Sequence, residues 1–229
     1  MGSPVRFTFG ATTVASDKPL GQLPVQDPVH SGSAAGLAVQ VFSDDFHVLS
    51  SSWGLTGVGT PTAALGSDQG GAVVLTTTTT SADSALLTLA GKAFKFVSGQ
   101  KAWGCFRVKL GDASASSMLV GLADAAAPDN GLYFSKASGS TTVNLVAEVA
   151  TVQTTIAAGV KTANTSYMEL GWYYNGSELQ VFVDGVLKAR VTPTLPTVVL
   201  TPVLQVVTGA AAAKTLTVDF AVVSDELAR

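Results

Sequence analysis

The stretch "ELGWYYNGSELQVFVDGVLKARV", residues 169–191, decides the fold class. Met168, Leu170, Trp172 and Tyr174 fall on one parity, and Leu179, Val181 and Val183 form a second such row. Side chains of a strand alternate between faces, so each row is the buried face of a strand. Asn175-Gly176 and Asp184-Gly185 separate the rows, and these dipeptides tolerate the positive φ of tight hairpin turns. Leu187, Ala189 and Val191 continue the pattern, with Lys188 and Arg190 pointing away. Three antiparallel strands are predicted. Tyr173 and Phe182 fall on the opposite face, so the sheet is apolar on both sides there, as at a contact or a ligand groove.

The same grammar extends outward from residue 41. "LAVQVFSDDF", "AVVLTTTTT", "SALLTLAG", "KAFKFVSG", "SSMLVGLADA", "GLYFSKA", "TPVLQVVT" and "KTLTVDFAVVS" are short, rich in β-branched residues and bounded by turn signals. "TVNLVAEVATVQTTI" reads as one strand rather than a helix, because its Val and Thr alternate. In "KAWGCFRVKL", Trp103, Cys105, Val108 and Leu110 are read as inward with a bulge at Phe106, against Lys101, Arg107 and Lys109. A dozen such strands with regular turns predict an all-β sandwich or jelly roll over residues 41–229. Residues 1–40 differ: Pro19, Pro24 and Pro28 stand among glycines, which predicts an extended N-terminal arm, with a disordered leader as the alternative, rather than a helix or central strand.

Composition narrows the function. Hydrophobic residues make up 47% and charged residues 13%, against about 25% charged in an ordinary soluble domain. Net charge is −3 and there is no arginine cluster, so a nucleic-acid partner is excluded by the lack of phosphate-neutralising groups. No apolar run is long enough for a membrane span. The N-terminus shows no secretion signal, which makes lysis the expected route to any extracellular position. The single cysteine, Cys105, forms no internal disulfide and reads as a small buried hydrophobe.

Candidate chemistry is sparse. Asp44 and Asp45 are adjacent and point to opposite faces, so they do not form a glycosidase pair. The glutamates are Glu148, Glu169, Glu178 and Glu226, and no two stand at alternate positions of one strand. No catalytic, cofactor or metal residues are assigned, and the chain is expected not to be an enzyme. Asp124, Asp129 and Asn130 in "LADAAAPDNG" form a turn, with a calcium loop as the alternative. Trp53, Tyr133 and Tyr173 are the candidate sugar-stacking aromatics, while Trp103 and Trp172 are assigned to the core. The sequons at Asn164 and Asn175 are accidental, the second being used in a turn.

The ordered set "VFSDDF", "GGAVVLTTTTTSADSALLTLAGKAFKF", "GQKAWGCFRVKL", "MLVGLAD", "GLYFSKASGSTTVNLV", "LGWYYNGSELQVFVDGVLKARV" and "AAAKTLTVDF" resembles structural proteins of tailed bacteriophages that carry a concanavalin-like (lectin/laminin-G type) jelly roll. The leader "RFTFGATTVASDKPLGQLPVQDP" is similar to their N-terminal arm. Gly104 and Cys105, between Trp103 and Phe106, depart from that pattern. The resemblance implies a non-enzymatic decoration protein on the outer capsid surface of a virion. It would bind the major capsid protein, form a homotrimer and use the arm for attachment. The alternative it implies is a carbohydrate-binding module of a head or tail fibre, with a host surface glycan as partner.

Overall fold

The structure is a computed structural model, and it describes residues 38–68, 70–125 and 128–227. The arm expected over residues 1–40 falls mostly on residues outside these. The described chain forms β1 (Ala38–Asp44), β2 (Trp53–Thr56), β3 (Thr62–Leu65), β4 (Val73–Thr76), β5 (Ser84–Leu89), β6 (Ala102–Leu110), β7 (Ser116–Ala123), β8 (Gly131–Lys136), β9 (Thr142–Val149), β10 (Val152–Thr162), β11 (Met168–Tyr174), β12 (Leu179–Val183), β13 (Val186–Val191), β14 (Thr201–Thr208) and β15 (Thr215–Leu227).

All pairings between these strands are antiparallel, in two sheets. The eight-stranded sheet runs β13-β12-β11-β6-β15-β4-β3, with β1 also on β15. The long β15 makes this possible: Thr215–Val218 pairs with β4, Ala221–Leu227 pairs with β1, and β6 takes its other edge. The seven-stranded sheet runs β10-β9-β8-β7-β14-β5-β2. The all-β sandwich expected from the sequence is therefore the observed architecture.

One core lies between the sheets. Met168, Leu170, Trp172 and Tyr174 of β11 face it, as do Leu179, Val181 and Val183 of β12. They meet Val120, Leu122, Phe134, Leu145 and Leu204 of the other sheet in the same cluster. Trp172 is fully enclosed. Phe96 tilts against it with ring centroids 5.3 Å apart, and meets Tyr174 edge-on at 5.9 Å. The sequence departure at Gly104 has its reason here. A methyl group at Gly104 would lie 2.8 Å from Trp172 Cε2 and Cζ2, so the indole occupies the space a side chain would need.

Four local readings change. First, β6 carries no bulge opposite β11, where pairing runs unbroken from Val108 to Ala102. Phe106, Val108 and Leu110 face the core, so Trp103 and Cys105 face outward with Arg107 and Lys109. The irregularity lies in β15 instead, between Val218 and Phe220. Second, "TVNLVAEVATVQTTI" is a hairpin, with Val149 paired to Val152. Third, Asn175-Gly176 is not a two-residue turn, because Tyr174 pairs with Leu179 and residues 175–178 form the loop. Asn175 Oδ1 accepts bonds from Ser177 N at 2.9 Å and Glu178 N at 2.7 Å, and only Gly176 has positive φ. Asp184-Gly185, with φ of 50° and 75°, is the two-residue turn. Fourth, β13 sits poorly inward: a shift at Val181/Phe182 leaves Leu187 37% exposed.

Two predictions follow from this core. Gly104→Ala should lower stability by about 1–3 kcal/mol by overpacking against Trp172, read from urea unfolding with an unchanged m-value. Asp225 is buried, its Oδ1 lacks a partner and its Oδ2 accepts the Lys95 amide at 3.2 Å. Burial, only partly offset by that bond, pushes its pKa from 3.8 to about 6. Between these values the native state holds a proton that the unfolded chain has lost. Stability should therefore fall as pH rises from about 4 to about 6, by on the order of 2–3 kcal/mol. Asp225→Asn should remove that slope, as measured by unfolding across the pH range.

Candidate functional site

The outer face of the seven-stranded sheet is set by its inner one. Met118, Val120 and Leu122 of β7, Leu132 and Phe134 of β8, and Val143, Leu145 and Ala147 of β9 fill the core. Alternation puts Gly121, Tyr133, Ser135, Val146 and Glu148 on the other side. Pairing aligns Gln153, Glu148, Gly131 and Ala123 in one row, and Val146, Tyr133, Gly121 and Val203 in the next. Leu86, Ala123 and Val203 form a small buried cluster on this side, with Leu119 packed against it.

Glu148, on the strand next to the β10 edge, is the chemical focus of this face. The Tyr133 hydroxyl donates to Glu148 Oε2 and accepts from Gln153 Nε2 at 2.8 Å. Tyr133 is only 1% exposed. Its ring leans over Gly131, where an added methyl would lie 2.9 Å from Cδ1. Glycine there lets the phenol lie along the sheet and reach the carboxylate that pairs with Gly131. Burial, then the Glu148 contact, raises the Tyr133 pKa well above the ordinary phenol range, so it stays a donor. Glu148 is partly exposed and Gln153 exposed. The β7, β8, β9, β14, β5 and β2 strands carry only two charged side chains, Lys136 and Glu148. Lys136 is buried with its ammonium on the Ser116 and Ala137 carbonyls. Glu148 therefore stands as a lone carboxylate among amides, hydroxyls and apolar groups.

The "PDN" segment positions this centre. Asp124 Oδ1 accepts from Asp129 N at 3.1 Å and Asn130 N at 3.2 Å, and Oδ2 from Asn130 Nδ2 at 3.0 Å. Burial opposes the Asp124 charge, but the bonds from Asn130 and Asp129 outweigh it and hold the carboxyl below its ordinary pKa. Asn130 Oδ1 then accepts from Ala150 N at 3.1 Å, and Asp129 O from Thr151 N at 2.8 Å. Asp124 is thus spent within its own turn. That turn also clamps the β9–β10 hairpin that brings Gln153 beside Glu148. Among the described residues no cluster of three or more His, Cys, Asp or Glu is placed to hold a metal ion.

The other singled-out residues are placed as follows. Trp53 is core: it is 6% exposed, meets Phe42 and Phe46, and donates from Nε1 to Asp44 Oδ2 at 2.7 Å. Asp45 faces His47 Nδ1 at 2.9 Å. Tyr133 is a buried anchor rather than a displayed platform. Tyr173 is half-buried on the outer face of the other sheet, paired with the half-buried Trp103. Cys105 is buried, and burial raises its thiol pKa well above normal. The sequence reading missed Glu148–Gln153, because a hairpin between Ala150 and Thr151 carries no glycine or asparagine to announce it.

No family model and no curated protein matches the chain in sequence. Solved structures match in fold. A glycoside hydrolase family 16 protein of the Bacteroides ovatus mixed-linkage glucan locus, solved with its G4G4G3G product, aligns with TM-score 0.61 and 13% identity, covering 80% of this chain and 99% of that one. An endo-1,3-β-glucanase from Streptomyces sioyaensis gives TM-score 0.59 and 14% identity over 84% of this chain and 98% of that one. Peanut lectin gives 0.60 and 11% over 84% and 100%. The fold is the concanavalin-like jelly roll.

These matches correct the functional expectations. The phage capsid decoration reading, with its virion and homotrimer terms, gives way to a fold kept in company with glucanases and a lectin. Its motifs are alternating strands and turn dipeptides, which any two-layer jelly roll requires, so they specified the sandwich and not its user. The expectation of a non-enzyme is corrected as well, since several glycoside hydrolases share this fold and it is capable of supporting catalysis.

Ala150 and Thr151 have φ of 49° and 69°, a left-handed conformation that costs L-residues about 1–2 kcal/mol each. Ala150→Asn combined with Thr151→Gly should therefore raise stability by about 1 kcal/mol, checked by urea unfolding.

Proposed function

We propose that this chain is a carbohydrate-binding jelly-roll domain that takes a neutral β-glucan-type oligosaccharide on the outer face of its seven-stranded sheet. The observation that carries this reading is Glu148. Its Oε2 is held by Tyr133, which Gln153 holds in turn, and Oε1 is left to accept ligand hydroxyls. A carboxylate fixed in this way accepts charge-assisted hydrogen bonds, the strongest available to a sugar hydroxyl. The amides and hydroxyls of Gln153, Thr155, Ser135 and Gln205 give further neutral partners on the same face. Gly121 and Gly131 make room for the Tyr133 ring, and the accessible strip beside it, Glu148, Gln153 and Thr155, is where a chain of sugar rings would lie. The fold shared with glucanases and a lectin supports the ligand class.

Retaining glycosidases set two carboxyls about 5–5.5 Å apart. Glu148 supplies one such group on this face. The reading concerns recognition, and product analysis in the binding experiment reports on turnover.

The test is isothermal titration with laminaritetraose and a mixed-linkage β-glucan tetrasaccharide. Wild type is expected to bind one of them. Glu148→Gln should weaken binding by about 10- to 100-fold, the loss of a charged hydrogen bond worth about 1.5–3 kcal/mol. Tyr133→Phe should weaken it less. Unchanged affinity in Glu148→Gln, with the fold intact, would overturn the site.

A further inference from the structure

We infer a second saccharide-stacking site on the opposite sheet, formed by Tyr173, Trp103 and Ser224. These residues lie side by side in register across β11, β6 and β15, with Gln180 of β12 next to Tyr173. Trp103 and Tyr173 are both half-buried, and the core takes the residues of the other parity. Directly paired positions on adjacent strands put the two aromatic side chains on one face of the sheet. The site rests on the glycan-binding reading for its class of ligand, but it shares no residue with the Glu148 face.

A second observation points to a ligand. Trp103 Nε1 and Ser224 Oγ are both buried and have no hydrogen-bond partner, although they belong to one row. An unsatisfied buried donor is destabilising, so a partner that satisfies it is favoured. The indole N–H only donates, and the serine hydroxyl donates or accepts. The complement is an apolar ring face bearing adjacent neutral hydroxyls, which describes a pyranose residue. Its C–H face would cover the rings, while one hydroxyl accepts from the indole and a neighbour exchanges a bond with Ser224.

A peptide fits less well. β6 is paired on both edges, with β11 and β15, so its backbone offers no free ladder for strand addition. Recognition must run through side chains. Gln180 extends the row with an amide that donates to Glu178 Oε1 at 3.1 Å, leaving its carbonyl oxygen for the ligand.

Tryptophan fluorescence isolates this site. Trp172 is fully enclosed and Trp53 is 6% exposed with its N–H on Asp44, so acrylamide quenching reports chiefly on Trp103. Laminaritetraose or the mixed-linkage tetrasaccharide should protect Trp103 from acrylamide and shift its emission. Trp103→Phe should remove the signal. Tyr173→Ala should weaken the protection constant about 3- to 10-fold, the loss of one aromatic contact. Ser224→Ala should weaken it while raising the unfolding midpoint, since a buried hydroxyl without a protein partner is removed. The same titration in Glu148→Gln separates the two sites. Protection that survives Glu148→Gln and falls in Tyr173→Ala supports this site even where the Glu148 face fails. Glu148-dependent binding without any Trp103 protection, or protection unaffected by both Tyr173→Ala and Ser224→Ala, overturns it.

Discussion

The structure depends on one packing contact, the enclosure of the Trp172 indole against the bare backbone of Gly104. Burying a large side chain contributes on the order of 2–3 kcal/mol, but only where the facing strand yields room. Here the room comes from a missing side chain on β6 rather than a wider sheet spacing. Phe96 closes the pocket from a segment outside the regular strands and ties it to Tyr174. The β6–β11 register is fixed by this contact. A slip of one residue would bring Trp103 or Cys105 opposite the indole and reverse every face. Register in turn decides what each outer face displays, so the surface chemistry is set by a core contact.

The fold was legible because its signal is periodic. The alternation in residues 168–191 gave β11 and β12 with the right faces, and only the inward placement of β13 weakened at the bulge. What failed was local. Trp103 looked like core because large aromatics usually are, yet parity with Arg107 and Lys109 was the better guide. The β9–β10 hairpin was hidden because Ala150 and Thr151 adopt left-handed backbone without the residues that normally mark it. Their stabilisation comes from Asn130 and Asp129, about 20 residues earlier in the chain, which no local propensity can report.

That explains why the candidate site was less legible than the fold. Glu148 was weighed against other glutamates on its own strand, as a catalytic pair would require. Its partners are Tyr133 on the preceding strand and Gln153 across the hidden turn. Tyr133 was recognised as an aromatic of interest, but its role is carried by the hydroxyl rather than by the ring. The "PDN" turn was recognised as a turn, while its contact with the neighbouring hairpin depends on topology.

The two faces also divide the charge. Arg107–Asp219, Lys109–Asp68, Lys101–Glu226 and Arg190–Glu178 all lie on the eight-stranded sheet or the loops beside it, and Lys161–Asp184 bridges the sheets at their shared edge. The exposed one, Arg190–Glu178, contributes little stability, about 0–1 kcal/mol. The effect of these pairs is to leave Glu148 as the single charge displayed by the six strands from β9 to β2. A carboxylate in none of the described ion pairs keeps its acceptor capacity for a ligand. In a chain with so few charged residues, this placement follows from burying the cation of Lys136 against carbonyls and drawing the remaining pairs to the opposite sheet. The neutral face and the paired face are two consequences of one distribution, and the neutral one is suited to an uncharged, hydroxyl-rich partner.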